Sequence, residues 1–201
     1  SYLTIKVREI ALFPLEAGTL KIGPMTMNFY GRGYATARNP EGTPRSTKEL
    51  EVVVTDAPSV GQPPGYQPGD VGSFRLTAEV SPRTVEAGGS VAVVATLEGT
   101  GKLPGALITP EQKGTDWLEP TLTEKMSVNR DGEVQGTRTF TYLVRLDHPG
   151  EVQLGDLMLP YYQPKLRRYA TARAKLGSVA VTGSAPVASA EAQGSDTDKR
   201  L

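Results

Sequence analysis

One stretch near the start of this 201-residue chain is written again near its end. After Gly18 come apolar residues at the second and fourth positions, Leu20 and Ile22, then Gly23, then Met25 and Met27. After Gly150 come Val152 and Leu154, then Gly155, then Leu157 and Leu159, in the same spacing. Aromatic pairs follow in both copies, Phe29-Tyr30 and Tyr161-Tyr162. The pentapeptide Tyr34-Ala35-Thr36-Ala37-Arg38 recurs unchanged as Tyr169-Ala170-Thr171-Ala172-Arg173. Each copy closes on an apolar run ending in threonine, Val52-Val53-Val54-Thr55 and Val179-Ala180-Val181-Thr182. The offset is 132 for the glycines (150 − 18) and 135 for the pentapeptides (169 − 34). That period is too long for a solenoid and matches a tandem domain. The chain is therefore expected to hold the end of one domain and the whole of a second, similar one.

The apolar parity switches inside each copy. Leu20 and Ile22 are even-numbered, Met25 and Met27 odd; Val152 and Leu154 are even, Leu157 and Leu159 odd. Side chains of a strand alternate between its faces, so one extra residue is needed to keep both halves on the core side. A bulge or strand break is expected at Gly23-Pro24 and at Gly155-Asp156.

Breakers and alternation set the fold class. Gly (22) and Pro (16) are both abundant, Val and Thr are frequent, and the apolar share is 38%. This is the composition of an all-β protein with many turns. Strands are expected over Tyr2–Leu12, Thr19–Tyr30 and Lys48–Thr55, with a loop over Gly31–Thr47. Pro63-Pro64 and Pro68 make the stretch after Thr55 a linker of polyproline character, because proline cannot donate to a ladder. Phe74, Leu76, Ala78 and Val80 then alternate with polar residues, as do Val91, Val93, Ala95 and Leu97, which Gly99-Thr100-Gly101 is expected to break. A short strand is expected near Leu107-Ile108, less regular chain through Trp117-Leu118, a turn at Asn129-Arg130-Asp131-Gly132, and a strand carrying Phe140, Tyr142, Val144 and Leu146. With the repeated strands to Thr182, roughly seven strands over about 110 residues fit an immunoglobulin-like sandwich. The expected organisation is the C-terminal part of a first sandwich at 1–56, incomplete at its N-terminus, a Pro/Gly-rich linker at 57–71, and a complete sandwich at 72–183. The tail at 184–201 has too little apolar surface to offset its ordering entropy and is expected to be disordered.

These segments together resemble the BatD-like proteins of the bacterial oxygen-tolerance (aerotolerance) family. The resemblance runs through Val71-Gly72-Ser73-Phe74-Arg75-Leu76, Gly88-Gly89 before a Val-rich strand, and Gly99-Thr100-Gly101-Lys102-Leu103. It continues through Gly136-Thr137-Arg138-Thr139-Phe140-Thr141-Tyr142, Pro149-Gly150-Glu151-Val152 and Tyr161-Tyr162-Gln163-Pro164. It covers nearly all of Gly72–Thr182, and Ala11–Thr55 looks like the end of the preceding family repeat. The chain departs from it at Gln163, where the family often has an acidic residue, and at Lys102, where it often has Asn. The resemblance implies tandem β-sandwich domains on the periplasmic side of the envelope, with the membrane anchor in segments outside this chain. It implies von Willebrand A-type and tetratricopeptide-type protein partners and a MoxR-type ATPase as neighbours, and it brings no catalytic residues.

Chemistry-bearing motifs are sparse. Charge is balanced, 22 basic against 22 acidic side chains, which leaves no footprint for nucleic acid. The absence of cysteine excludes disulfides and thiolate sites, and no apolar run reaches the ~20 residues of a membrane span. No signal peptide is read at the start, and Ser1 leads directly into a strand-like segment, as in a chain cut from something longer. His148, the single histidine, stands in a turn with no nucleophile motif nearby. Gly99-Thr100-Gly101-Lys102 lacks the spacing of a phosphate loop and reads as a β-turn. Asn129, Asp131 and Glu133 are too few for a calcium loop and read as a hairpin turn. Trp117 reads as a core or rim aromatic. The surface of interest is Tyr161, Tyr162, Arg167, Arg168 and Tyr169, where aromatics and arginines, enriched at interfaces, flank one hairpin. Arg173 and Lys175 extend this basic strip.

The expected function is a non-catalytic envelope scaffold that holds protein partners together, with no cofactor and no small-molecule substrate. One rival is an adhesin- or chaperone-like sandwich that binds peptide or glycan by its strand edges. Another is an accessory domain of an enzyme whose catalytic part lies elsewhere.

Overall fold

The computed structural model describes residues 10–30 and 42–183. The first part of the strand expected from Tyr2, the first copy of the pentapeptide, and the tail at 184–201 lie outside the described residues. What is described is all-β, with fourteen strands, one short 3-10 turn and no α-helix among the described residues.

The repeated sequence folds into a repeated shape. In the first copy, β1 (Gly18–Ile22) pairs antiparallel with β4 (Leu50–Val54), and β2 (Thr26–Phe29) with β3 (Thr43–Ser46). The result is one hairpin, bent where Thr47 N–H donates to Met25 O at 3.0 Å and Met25 N–H to Thr47 Oγ1 at 2.9 Å. In the second copy, β11 (Gly150–Gln153) pairs with β14 (Ser178–Thr182), and β12 (Asp156–Gln163) with β13 (Arg168–Lys175). Here the bend is bridged by Leu154 N–H to Gly177 O at 2.9 Å and Leu176 N–H to Gly155 O at 3.0 Å. The registers coincide. Gly18 faces Val54 as Gly150 faces Val181, and Leu20 faces Val52 as Val152 faces Val179. Both leading glycines hold matching positive φ, 138° and 129°, which few other residues adopt. The strand break that the parity switch demanded stands at Gly23–Met25 and at Leu154-Gly155.

The two copies part company after the aromatic pair. Tyr169–Arg173 lies within β13, yet the strand opposite β2 is Thr43–Ser46, inside the stretch expected to be a loop. This strand carries Pro44 opposite Asn28, a placement an outer strand tolerates because its donors face away from the ladder.

The remaining strands build the partner of the second hairpin. They are β5 (Gly72–Ser81), β6 (Thr84–Glu86), β7 (Ser90–Gly101), β8 (Thr115–Trp117), β9 (Thr121–Val128) and β10 (Val134–Leu146). The sheet order is β5-β7-β10, with β8 and β9 both along the far side of β10. β6 joins β14 in parallel. The alternation read from sequence puts Phe74, Leu76 and Val80, then Val91, Val93 and Leu97, then Phe140, Val144 and Leu146 on the inner face. Leu154, Leu157, Leu159, Leu176 and Val179 of the bent hairpin close the same core, and no polar side chain is buried in it among the described residues. The arrangement is β-sandwich-like.

Three local expectations need correcting. Gly99-Thr100-Gly101 does not break β7 and is not a turn; it continues the ladder opposite Gly72–Phe74. The glycines serve close approach, since a Cβ on Gly99 would stand 2.5 Å from the Phe74 ring. The strand near Leu107-Ile108 is a single bridge between Ile108 and Met158. Trp117 ends β8, in a more regular region than its sequence showed, because β8 and β9 follow one another along β10.

Candidate interaction surfaces

The five residues singled out from sequence all belong to the β12–β13 hairpin, but the fold gives them three different tasks. Tyr161 is on the inner face. Its ring meets Phe74 edge-on at 5.2 Å and its hydroxyl donates to Phe74 O at 3.4 Å, so it presents no ring to a partner. Tyr162 and Tyr169 stand opposite each other on the outer face, ring centroids 5.1 Å apart. Arg167 and Arg168 form the exposed tip. Pro164–Leu166 makes the 3-10 turn, and Arg167 closes it in the left-handed region (φ 49°), its N–H donating to Pro164 O at 3.2 Å.

The tyrosine pair already has an occupant, the segment expected to be a linker. Tyr169 donates its hydroxyl to Pro58 O at 2.5 Å, and the Tyr66 ring meets Tyr169 edge-on at 5.0 Å. Tyr162 N–H donates to Asp70 O at 2.9 Å, and Val71 bridges to Tyr162. Between these ends the segment folds back in two turns, Tyr66 N–H to Pro63 O at 3.2 Å and Asp70 N–H to Gln67 O at 3.1 Å. Gly65 lies against Ile108, where a Cβ would come within 2.5 Å of the isoleucine. The stretch is thus a docked strap with turns in place of a run of polyproline helix. Burial pushes the Asp70 carboxyl up to about 6, against the opposing pull of Lys102. Tyr66 is likewise raised, first by burial and then by Tyr169.

Beside the tip, Lys165 pairs with Glu133 at 2.6 Å. Hydrogen bonding to Lys165 and then Asn129 lowers the Glu133 carboxyl, and the bond to Glu133 raises Lys165. Asn129 spends its side-chain oxygen on the Asp131 and Glu133 N–H groups, at 3.0 and 2.9 Å, which makes the turn a hairpin turn. His148 lies against Gly114, and Trp117 packs edge-on to Tyr142 at 5.4 Å. Burial pushes the Tyr142 hydroxyl up to about 12. Among the described residues no group of three or more His, Asp or Glu is placed to hold a metal ion.

Two more surfaces are open. One is the apolar face of the first hairpin, the counterpart of the second hairpin's core side and expected from the missing half of the first sandwich, where Leu20, Ile22, Met25, Phe29 and Val52 are exposed. The other, which the sequence did not reveal, is β9, exposed along its whole length. No helix among the described residues is long and apolar enough to cross a membrane.

Set against known proteins, the chain matches no protein-family model, no curated protein and no solved structure.

Proposed function

We propose that this chain is a non-catalytic scaffold of the cell envelope, built from tandem immunoglobulin-like sandwiches, that works by contacting other proteins. In this reading 72–183 is one complete unit. Residues 1–56 are the C-terminal part of another, whose described hairpin a sheet of the β5-β7-β10 kind completes, and 57–71 is the strap between them. The observation that carries it is the bent hairpin built twice, once with its apolar face covered and once with that face open. A lone hairpin is marginal in water, so the open copy calls for a partner sheet. The resemblance to the BatD-like family supports the periplasmic, membrane-anchored setting and partners of the von Willebrand A and tetratricopeptide kinds. The exposed Arg167 and Arg168, beside Lys165, offer such partners a basic tip.

The test is co-purification of the full-length protein from its own membrane, with and without Arg167→Glu and Arg168→Glu together. Loss of specific partners from a folded variant is the expected result. Charge reversal at a buried, paired contact weakens binding by several kcal/mol. Recovery of the same partners at the same salt places the interface elsewhere.

A further inference from the structure

Among the described residues β9 pairs with β10 on one side and with no strand on the other. The ladder fixes which of its backbone groups are free. Asn129 N–H bonds to Glu133 O, so the bonded pairs fall on Ser127, Lys125 and Thr123, two residues apart. The N–H and C=O groups of Leu122, Glu124, Met126 and Val128 therefore point outward. Natural edges are blunted by proline, bulges, short length or charge, lysine above all, and of these β9 has only the charge, at Lys125. β9 has eight residues, no proline and an unbroken register. Leu122, Met126 and Val128 lie on the face that carries buried Phe140, yet they are exposed. A cleft of about 360 Å³, lined by Leu107, Trp117, Pro120, Leu122 and Tyr142, opens at the Leu122 end of this row.

We propose that β9 is the docking edge for an extended segment of a partner protein. The segment adds as an antiparallel strand and continues the Leu122–Met126–Val128 row with apolar residues. It sets a carboxylate opposite Lys125. Charge selects the occupant. Arg138 engages Glu124 from the neighbouring strand, and the same guanidinium donates to Leu103 O and Pro104 O at 2.8 and 2.7 Å. Lys125 is left as the uncompensated charge of the edge among the described residues. It occupies a non-bonded position of the added ladder's alternation, where facing side chains come closest. A second copy of the chain fits less well. To keep both apolar rows on one face, two β9 strands must pair residues of like parity. The two registers with the longest overlap set Lys125 against Lys125 or Glu124 against Glu124, and like charges directly opposite destabilise a pair. This inference rests on the reading of the chain as a protein-contact module, but not on the envelope setting or the β12–β13 tip. Failure at β9 and failure at the tip are thus seen separately.

The probe is the synthetic peptide Val-Thr-Val-Glu-Thr-Thr-Val-Thr, added to the full chain, with a control in which Lys replaces Glu. The expected result is slowed hydrogen exchange at the Leu122, Glu124, Met126 and Val128 amides, with the Lys peptide about three- to tenfold weaker. Lys125→Glu inverts that preference. Met126→Pro removes an outward donor without touching the bonds to β10, and weakens binding by at least about tenfold. Unchanged exchange in β7 and β10 certifies its fold; if that fold is lost, the inversion by Lys125→Glu decides. No protection at millimolar peptide, no charge preference, or equal binding by a folded Met126→Pro variant overturns the proposal. A peptide-independent dimer that Met126→Pro abolishes also overturns it, because the occupant is then a second copy.

Discussion

The hairpins at 18–54 and 150–182 share their register, their bend and their leading glycine, yet they live in opposite environments. Ile22 is 37% exposed where its counterpart Leu154 is 1% exposed, and Met25 is 46% exposed where Leu157 is fully buried. Phe29 is 42% exposed where Tyr161 is 7% exposed. The difference is the five-stranded sheet built on β5-β7-β10, which covers one hairpin and has no described equivalent over the other. Local sequence therefore suffices to set the hairpin's geometry. Its stability comes from the opposing layer, at roughly 1.5–3 kcal/mol for each large apolar side chain removed from water.

Native-state hydrogen exchange tests this most severely. Ladder amides of β11–β14 open only with the whole core, whereas those of β1–β4 open locally. At least about a thousandfold difference in protection is expected. Equal protection across Gly18–Val54 and Gly150–Thr182 in a monomer breaks the comparison. A smaller effect separates matched truncations. Leu157→Ala removes a fully buried side chain and costs about 2–5 kcal/mol in urea unfolding. Met25→Ala, at the equivalent position, changes stability by no more than about 0.5 kcal/mol. Similar costs for the two mean that something covers the first hairpin. The smallest effect concerns the strap, which is docked on the second hairpin. Burial raises the Asp70 carboxyl from near 3.8 to about 6, so between those values the folded state holds more protons than the unfolded one. Stability then falls as pH rises through that window. Asp70→Asn is expected to flatten the slope of Tm between pH 4 and 6 and to raise Tm slightly at pH 7. A slope that survives the substitution assigns it to other carboxyls.

Where one face of a strand was dry and the other wet, the sequence was readable. Phe74–Val80, Val91–Leu97 and Phe140–Leu146 alternate because a core lies on one side of them only. The repeat disclosed the bend, because only a break reconciles Leu154 with Leu157 on one face. β9 carried no such signal: both of its faces are wet, and Glu124-Lys125 interrupts the alternation at its middle. Gly99 read as a breaker because spacing cannot distinguish a glycine that turns the chain from one that makes room for Phe74. The tip was legible as a hairpin, but Tyr161 and Tyr162 are adjacent and so point to opposite sides. Only the bend and register decide which of them is buried. Nothing in the composition of 57–71 showed that Tyr66 would find Tyr169, since that contact spans about a hundred residues and depends on the finished sheet.

The strap changes what the segment between the two repeats can transmit. A free chain of its length would let its ends wander by about 20 Å and act as a tether that forgets direction. Fastened at Pro58, Tyr66 and Asp70, this one leaves slack only between Val54 and Pro58. A pull on the first hairpin, once those few residues are taut, therefore falls on the β12–β13 face at Pro58 and is spent against its tyrosines, not on lengthening the segment.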